Sequence, residues 1–262
     1  MRTKVGNVHN RHKIPFFEQA VRIIGISDVV IEILDARMIE ESRIPEIEEE
    51  VLEQGKILVH VVNKIDLLSR GEMPKTDKLS NPILVSTKTR QGIKQLREKI
   101  RIFASRFKDR AQVHICVIGY PNTGKSSLLN ILARHAAAPV SSQPGFTKGI
   151  RKIRFSKGIL FLDSPGIIPR NENLFSRDQK KHGLLGIKTP ESVKDPDLVV
   201  NELMKMYPGK LEKNYDVEKI GDVEVLLEEI GKRWGVMKKG AQIDTDRVAR
   251  RVLKDWHNGK IK

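Results

Sequence analysis

The chain has 262 residues, 39% apolar and 31% charged, a balance that excludes a disordered polymer and suffices for one large domain and a small one. Lysine and arginine number 48 against 33 acidic residues, and the net charge of +15 points to a polyanionic partner, of which nucleic acid is the commonest. A single cysteine, Cys116, excludes an internal disulfide and a cysteine-based zinc finger.

The basic stretch from Met1 to Pro15 has no apolar core, so no secretory signal is expected. Phe16 to Ile24 is a predicted helix, and the apolar run Val29 to Asp35 a predicted strand. A helix over Ile44–Gln54 precedes two more strands, Ile57–Val62 and Pro82–Ser86. Gly92 to Lys108 carries apolar residues at Ile93, Leu96, Ile100, Phe103 and Phe107, a helical stripe. The fourth strand, Val113–Ile118, holds Cys116 as a buried residue and leads into a helix over Ser126–Arg134. Ile150–Phe155 and Ile159–Leu162 form a predicted hairpin around Ser156-Lys157-Gly158. Near-continuously apolar strands alternating with helices define a doubly wound α/β sheet, parallel and covered on both faces. Beyond Pro169 no strand run is visible, and helices are predicted at Pro196–Met206, Val223–Trp234 and Asp246–His257. The expected division is an α/β domain over residues 1–175 and a small all-α domain over 176–262. No run reaches the roughly 18 apolar residues of a membrane span.

Gly119-Tyr120-Pro121-Asn122-Thr123-Gly124-Lys125-Ser126 fits the pattern G-x-x-x-x-G-K-[ST] between a predicted strand and a predicted helix, the context of a phosphate-binding loop. The nucleotide-contacting stretch runs from Asn122 through Thr123, Gly124, Lys125 and Ser126 to Ser127. Lys125 reaches β- and γ-phosphates and is a candidate catalytic residue, while the Ser126 hydroxyl is a candidate Mg²⁺ ligand. Asp163-Ser164-Pro165-Gly166 closes the last strand. Asp163 is placed to hold the Mg²⁺ shell through water, and the Gly166 N–H to sense a γ-phosphate. Asn63-Lys64-Ile65-Asp66 closes the second strand. The Asp66 carboxylate can accept from the N1–H and exocyclic amine of guanine, a pair that adenine cannot supply. Asn63 is expected to brace the loop and Lys64 to cover a base face, and backbone N–H groups of Ser86-Thr87-Lys88 to meet guanine O6. Thr147, in Pro144-Gly145-Phe146-Thr147, is either a switch threonine binding Mg²⁺ or an ordinary loop residue.

These five motifs resemble those of P-loop GTPases of the translation-factor class, in rotated order. N-K-I-D and S-T-K precede the phosphate loop, and D-S-P-G comes last. The order is similar to that of the circularly permuted GTPases of the YlqF/RbgA ribosome-assembly group, and Asp35-Ala36-Arg37 resembles that group's D-A-R signature. Tyr207-Pro208, Leu211, Tyr215, Ile230-Gly231 and Ala241-Gln242-Ile243-Asp244 resemble its helical RNA-binding domain. The resemblance implies a GTPase of large-subunit assembly that binds GTP, GDP and ribosomal RNA, a cytoplasmic monomer. Bacterial members of that group carry an aromatic-Pro-Gly-His stretch near the N-terminus. Ungapped counting from D-A-R puts His12 at that histidine, with His9 as competitor and the Pro-Gly absent. The alternative is that both histidines belong to a solvated basic arm. Asn122 stands where K⁺-stimulated relatives place a K⁺-coordinating asparagine, or else only shapes the turn.

Ras-like enzymes place a water-orienting glutamine directly after the D-x-x-G glycine, where this chain has Ile167, so slow unassisted hydrolysis is expected. Arg247, Arg250, Arg251 and Lys254 gather on one predicted helix, with Trp256 and Lys260 following, a cluster suited to phosphates and bases. Two other readings stay open. One is a non-hydrolysing, nucleotide-dependent RNA-binding protein. The other is a GTPase of small-subunit assembly, although that permuted group carries an OB-type barrel and a Cys/His zinc module, against a short arm and one cysteine here.

Overall fold

The computed structural model describes residues 16–69, 71–133, 151–164, 166, 167, 169, 179–218 and 221–261; His9, His12 and Thr147 lie outside them. The chain opens with α1 (Phe16–Gly25) and β1 (Val29–Asp35), then a short α2 (Ile39–Ser42) that the sequence pattern did not announce, and α3 (Pro45–Glu53). β2 (Ile57–Asn63), β3 (Ile83–Leu84) and α4 (Ile93–Ala104) follow, with a 3₁₀ turn over Ser105–Phe107. β4 (Val113–Gly119) leads into α5 (Lys125–Ala133), and β5 (Arg151–Ser156) pairs with β6 (Ile159–Asp163). The remainder comprises α6 (Gln179–Leu184), α7 (Pro196–Met206), α8 (Lys210–Tyr215), α9 (Val223–Trp234), β7 (Met237–Lys238), β8 (Gln242–Ile243) and α10 (Thr245–His257).

Among the described residues the main sheet has the order β3-β2-β1-β4-β6-β5. Every pairing is parallel except that of the edge strand β5, which returns antiparallel to β6 as the hairpin pattern predicts. β3 is shorter than the five residues expected. Pro82 has no N–H for the ladder, and the Ser86 N–H turns away to Gln91 O at 3.0 Å.

The strands are buried on both faces, with alternate side chains going to opposite sides. Val30, Leu58, Cys116, Ile118 and Leu162 pack with α1 and α3. Val29, Ile31, Ile33, Val59, Val61, Ile115 and Val117 pack with α4 and α5. The first cluster does not stop at the sheet. Through Met38, Tyr120 and Ile167 it continues into Leu184, Val199, Leu203, Leu226, Val252 and Trp256, so the C-terminal helices share a core with one sheet face. The expectation of an all-α C-terminal region needs one correction, the hairpin of β7 and β8. Its strands are two residues each, too short to show alternation, and its turn uses Gly240 at φ 93° and Ala241 at φ 58°. No helix among the described residues is long and apolar enough to cross a membrane.

Under α3 lies a buried cluster of ionisable groups. Glu32 of β1 stands beside His60 of β2, their side chains 3.2 Å apart, and Glu48 of α3 approaches His60 at 3.5 Å. Arg43 clamps Glu48 with two bonds of 2.7 and 2.6 Å, and the Ile44 N–H donates to Glu32 at 2.9 Å. Burial, with Glu48 nearby, pushes Glu32 up to about 7. Burial alone would lower His60, but the neighbouring carboxylates of Glu32 and Glu48 outweigh that and raise it to about 9. Both raised groups bind protons more tightly in the folded chain than in the unfolded one, so stability falls as pH rises. For His60 the stabilising contribution is whole below its ordinary value of 6.5 and is lost as pH passes about 9. The thermal midpoint is therefore expected to drop between these limits, and Glu32→Gln, which takes away the charge that raises His60, to flatten the drop. An equal pH slope in wild type and variant would place its origin elsewhere.

Candidate functional site

Strand register brings the motifs to one edge. Asp35 lies opposite Asn63, Val62 opposite Leu84, Ile33 opposite Gly119, and Val117 opposite Asp163. These are the carboxyl ends of the strands, at the point where the chain order reverses between β1 and β4. Ligands of open α/β sheets bind in that crevice. It holds a cavity of about 690 Å³. Asn63, Lys64, Asp66, Thr87, Lys88, Asn122, Gly124, Lys125, Ser126, Ser127 and Gly166 line it, eleven of the residues expected from the motifs. Ser86, Thr123 and Asp163 support it from behind or beside.

The phosphate loop curls from the end of β4 into the first turn of α5, whose leading backbone N–H groups have no acceptor within the helix and suit phosphate oxygens. Gly124 has φ 101°, a conformation that side chains resist, and an added Cβ would stand 2.2 Å from Asn63 Nδ2. That nitrogen donates to Thr123 O at 2.9 Å, while Asn63 Oδ1 accepts the Thr87 N–H at 3.1 Å. One amide thus joins the base loop, the phosphate loop and the loop after β3. Thr123 closes the turn by donating its hydroxyl to Tyr120 O at 2.9 Å.

On the base side, Ser86 Oγ donates to Asp66 Oδ1 at 2.6 Å and fixes the carboxylate expected to read guanine. Of the three N–H groups expected to meet O6, that of Ser86 is held by Gln91 and that of Thr87 by Asn63. The Lys88 N–H is the one left to a ligand. Lys64, in the left-handed region at φ 67°, sends its ammonium 2.7 Å to Asp35 Oδ2. Asp35 also takes Nε and Nη2 of Arg37, at 3.1 and 2.9 Å. Burial would raise the Asp35 carboxyl, but Arg37 and Lys64 hold it far below the ordinary carboxylate range. The D-A-R signature is thus an anchor for the lysine of the base loop.

On the phosphate side, burial lowers the Lys125 pKa against the pull of Asp163, and burial raises that of Asp163 against Lys125 and Arg151. Asp163 Oδ1 is buried without a hydrogen-bond partner. An orphaned carboxylate oxygen beside the loop that carries Ser126 fits a hydrated Mg²⁺ ion. Asn122 Nδ2 donates to Gly186 O, beyond α6. Gly166 packs against Pro121, and Ile167 is fully buried, its N–H bonded to Gly119 O at 3.2 Å. Its side chain belongs to the core and cannot reach a nucleotide.

The expected RNA cluster on α10 is only partly a free surface. Trp256 is fully buried and donates its Nε1–H to Leu184 O at 3.0 Å, so it is not a base-stacking aromatic. Its place follows from the stripe of Val248, Ala249, Val252 and Leu253, which faces the core. Arg250 bridges Asp246 and the carbonyls of Pro190, Glu191 and Val193, and Lys260 pairs with Asp255 at 2.9 Å. Arg247, Arg251 and Lys254 remain exposed, with Arg251 4.0 Å above the Trp234 ring. Sequence reasoning missed His257 and Asn258, which line the cavity from the far end of α10. No motif links them to the nucleotide loops.

A phosphate loop, a guanine-reading N-K-x-D and a D-x-x-G at the reversal point of a parallel sheet, with the base loop first in the chain, define a circularly permuted P-loop GTP-binding protein. A family model described as a 50S ribosome-binding GTPase matches residues 114–224. An uncharacterized GTP-binding protein of Methanocaldococcus jannaschii is 32% identical over 95% of this chain and 66% of its own. The guanine nucleotide-binding protein-like NSN1 of Arabidopsis thaliana is 30% identical over 98% of this chain and 49% of its own. Nucleolar GTP-binding protein 2 of Saccharomyces cerevisiae is 31% identical over 94% and 52%. The chain thus spans about half to two thirds of the length of these relatives. The GNP-bound crystal structure of YlqF from T. maritima shares the fold, with a TM-score of 0.64 at 21% identity, over 93% of this chain and 94% of that one. The chain is thus a circularly permuted P-loop GTP-binding protein with the fold of YlqF, similar over nearly its whole length to these GTP-binding proteins.

The contact between Asn63 and Gly124 gives a direct test. Gly124→Ala is expected to weaken GDP binding at least about tenfold and to lower the thermal midpoint, because the methyl group must displace the amide that joins three loops and the alanine takes up a backbone conformation that side chains resist. Unchanged GDP affinity, measured by calorimetry, would contradict this.

Proposed function

We propose that this chain is a GTP-hydrolysing switch in assembly of the large ribosomal subunit, a cytoplasmic monomer with a GTPase domain over residues 1–175 and an RNA-binding helical domain over 176–262. The observation that carries the guanine part is the bond from Ser86 to Asp66 beside an intact phosphate loop. With Oδ1 oriented by the serine, the carboxylate is set to accept both guanine protons. The ribosomal part is supported by the description of the matching family model, by the names of the relatives, and by the net charge of +15. Arg247, Arg251 and Lys254 are the candidate contacts to RNA phosphates, and binding through them is expected to weaken as salt rises.

Ser126, Asp163 through water, and Thr147 would hold Mg²⁺. When bound, Mg²⁺ neutralises charge on the β- and γ-phosphates. Lys125 adds a positive charge at the same oxygens. For K⁺ the candidate ligand is Asn122, whose nitrogen is engaged by Gly186 and whose oxygen is left as the coordinating atom. Because Ile167 is in the core, the attacking water must be aligned by another group. His12 is the candidate within the chain, and ribosomal RNA the candidate outside it. A γ-phosphate on Gly166 would act directly on the segment leading to the helical domain, which couples the nucleotide to the RNA-binding surface.

Three measurements test this reading. Wild type should bind GTP and GDP without competition from ATP, and Asp66→Asn should lose guanine recognition; equal binding of ATP and GTP by wild type would refute the base assignment. The protein alone should turn over at or below roughly 10⁻⁴–10⁻³ s⁻¹. Large-subunit precursor particles should stimulate it, more in KCl than in NaCl at equal ionic strength, and His12→Ala should lose most of the stimulation at nearly unchanged GTP affinity. A fast isolated protein would refute the role of Ile167, and a fully stimulated His12→Ala that of the histidine. Particles that bind the GTP form without stimulating hydrolysis would favour the non-hydrolysing alternative.

A further inference from the structure

The nucleotide cavity has a wall that none of the five motifs supplies. His257, in the last turn of α10, and Asn258, its C-cap, line the cavity with Lys64 and Leu67 of the base loop and Asn122 of the phosphate loop. They are held there on three sides. Arg37 Nη1 donates to Trp256 O at 2.8 Å, and its guanidinium lies 4.1 Å over the Trp256 ring. Arg37 is in turn fixed by Asp35, the carboxylate that anchors Lys64. His257 Nε2 meets Gly183 O at 2.6 Å. Gly259, one residue beyond the cap, sits so close to the base loop that an added Cβ would be 2.2 Å from Leu67 Cδ2.

The position has a chemical meaning. The base is read at Asp66 and the phosphates at the loop from Asn122 to Ser127, so a wall between Lys64 and Asn122 faces the sugar that joins them. Burial lowers the His257 pKa and keeps the ring neutral. With Nε2–H given to Gly183 O, Nδ1 is left as an acceptor. Asn258 is exposed and offers both a donor and an acceptor. These are the groups that recognise vicinal hydroxyls.

We propose that the C-terminal end of α10 is the ribose wall of the nucleotide site, with His257 and Asn258 contacting the sugar hydroxyls of a guanine ribonucleotide. The assignment rests on the guanine-nucleotide reading above. It makes docking of the C-terminal helices and nucleotide affinity two views of one equilibrium, since a ligand touching both shifts both.

The test compares GDP and 2′,3′-dideoxy-GDP by calorimetry on wild type, Asn258→Ala and His257→Gln, with hydrogen exchange of α10 in wild type with and without GDP. Wild type should prefer GDP to the dideoxy form. Asn258→Ala should weaken GDP about 5- to 10-fold, the size of one hydrogen bond, and reduce that preference. GDP should slow exchange at the end of α10. Asn258 is an exposed cap residue, so its variant keeps the fold, and the exchange measurement needs no variant. Wild-type GDP affinity and sugar preference in both variants, with exchange at α10 unmoved by GDP, would overturn the proposal and leave the base assignment standing. A wild type that binds no guanine nucleotide would overturn both.

Discussion

The side-chain amide of Asn63 is the joint on which the nucleotide site depends. It is fully buried, and each end has a partner that belongs to a different loop: Thr123 O for its nitrogen, the Thr87 N–H for its oxygen. Aspartate would lack the donor and alanine would lack both groups. Either change would strand a buried backbone group, at a cost of about 1–3 kcal/mol each. The requirement for glycine at position 124 follows from the same contact. The phosphate loop can tighten only because the amide fills the space where a Cβ would be. Strand register supplies the rest, since Asn63 ends β2 while Gly119 ends β4, two strands away across β1.

A second hub lies one strand over. Asp35 collects Lys64 and Arg37, and Arg37 passes the connection to the backbone and ring of Trp256. Tyr207 adds to it by donating its hydroxyl to Arg37 O. The helical region is therefore tied to the base loop through charge-assisted bonds as well as through the shared core. Both hubs stand at carboxyl ends of adjacent strands, so the geometry that reads the nucleotide and the geometry that seats the helices are set by the same sheet.

Much of this was legible in the sequence because motifs report on local backbone needs. Strand, glycine-rich turn and helix at residues 113–133 could be read from apolar runs and two glycines, and N-K-I-D and D-S-P-G from their places at strand ends. What escaped was set by distant packing. The two-residue β3 depends on where Ser86 turns, and the β7–β8 hairpin is shorter than any periodic pattern. Trp256 follows basic residues and so reads as a nucleic-acid contact, although its spacing from Val248, Ala249, Val252 and Leu253 puts it on the buried stripe. D-A-R already pairs Asp35 with Arg37 two residues on, but the bond of Asp35 to Lys64 and the role of His257 had no local signal, since those partners are remote in the chain.

That remoteness bears on how the molecule is put together in time. The β5–β6 hairpin and the pairing of β1 with β2 join segments near in sequence, whereas the bond from Arg37 to Trp256 closes a separation of 219 residues. Ordering so long a loop costs chain entropy that is repaid only when the last helix docks. A refolding chain can thus assemble most of its sheet while one side of the crevice is still open. On the proposal that the end of α10 is the ribose wall, the base and phosphate loops can form first, and only the full affinity for a nucleotide waits for the last helix.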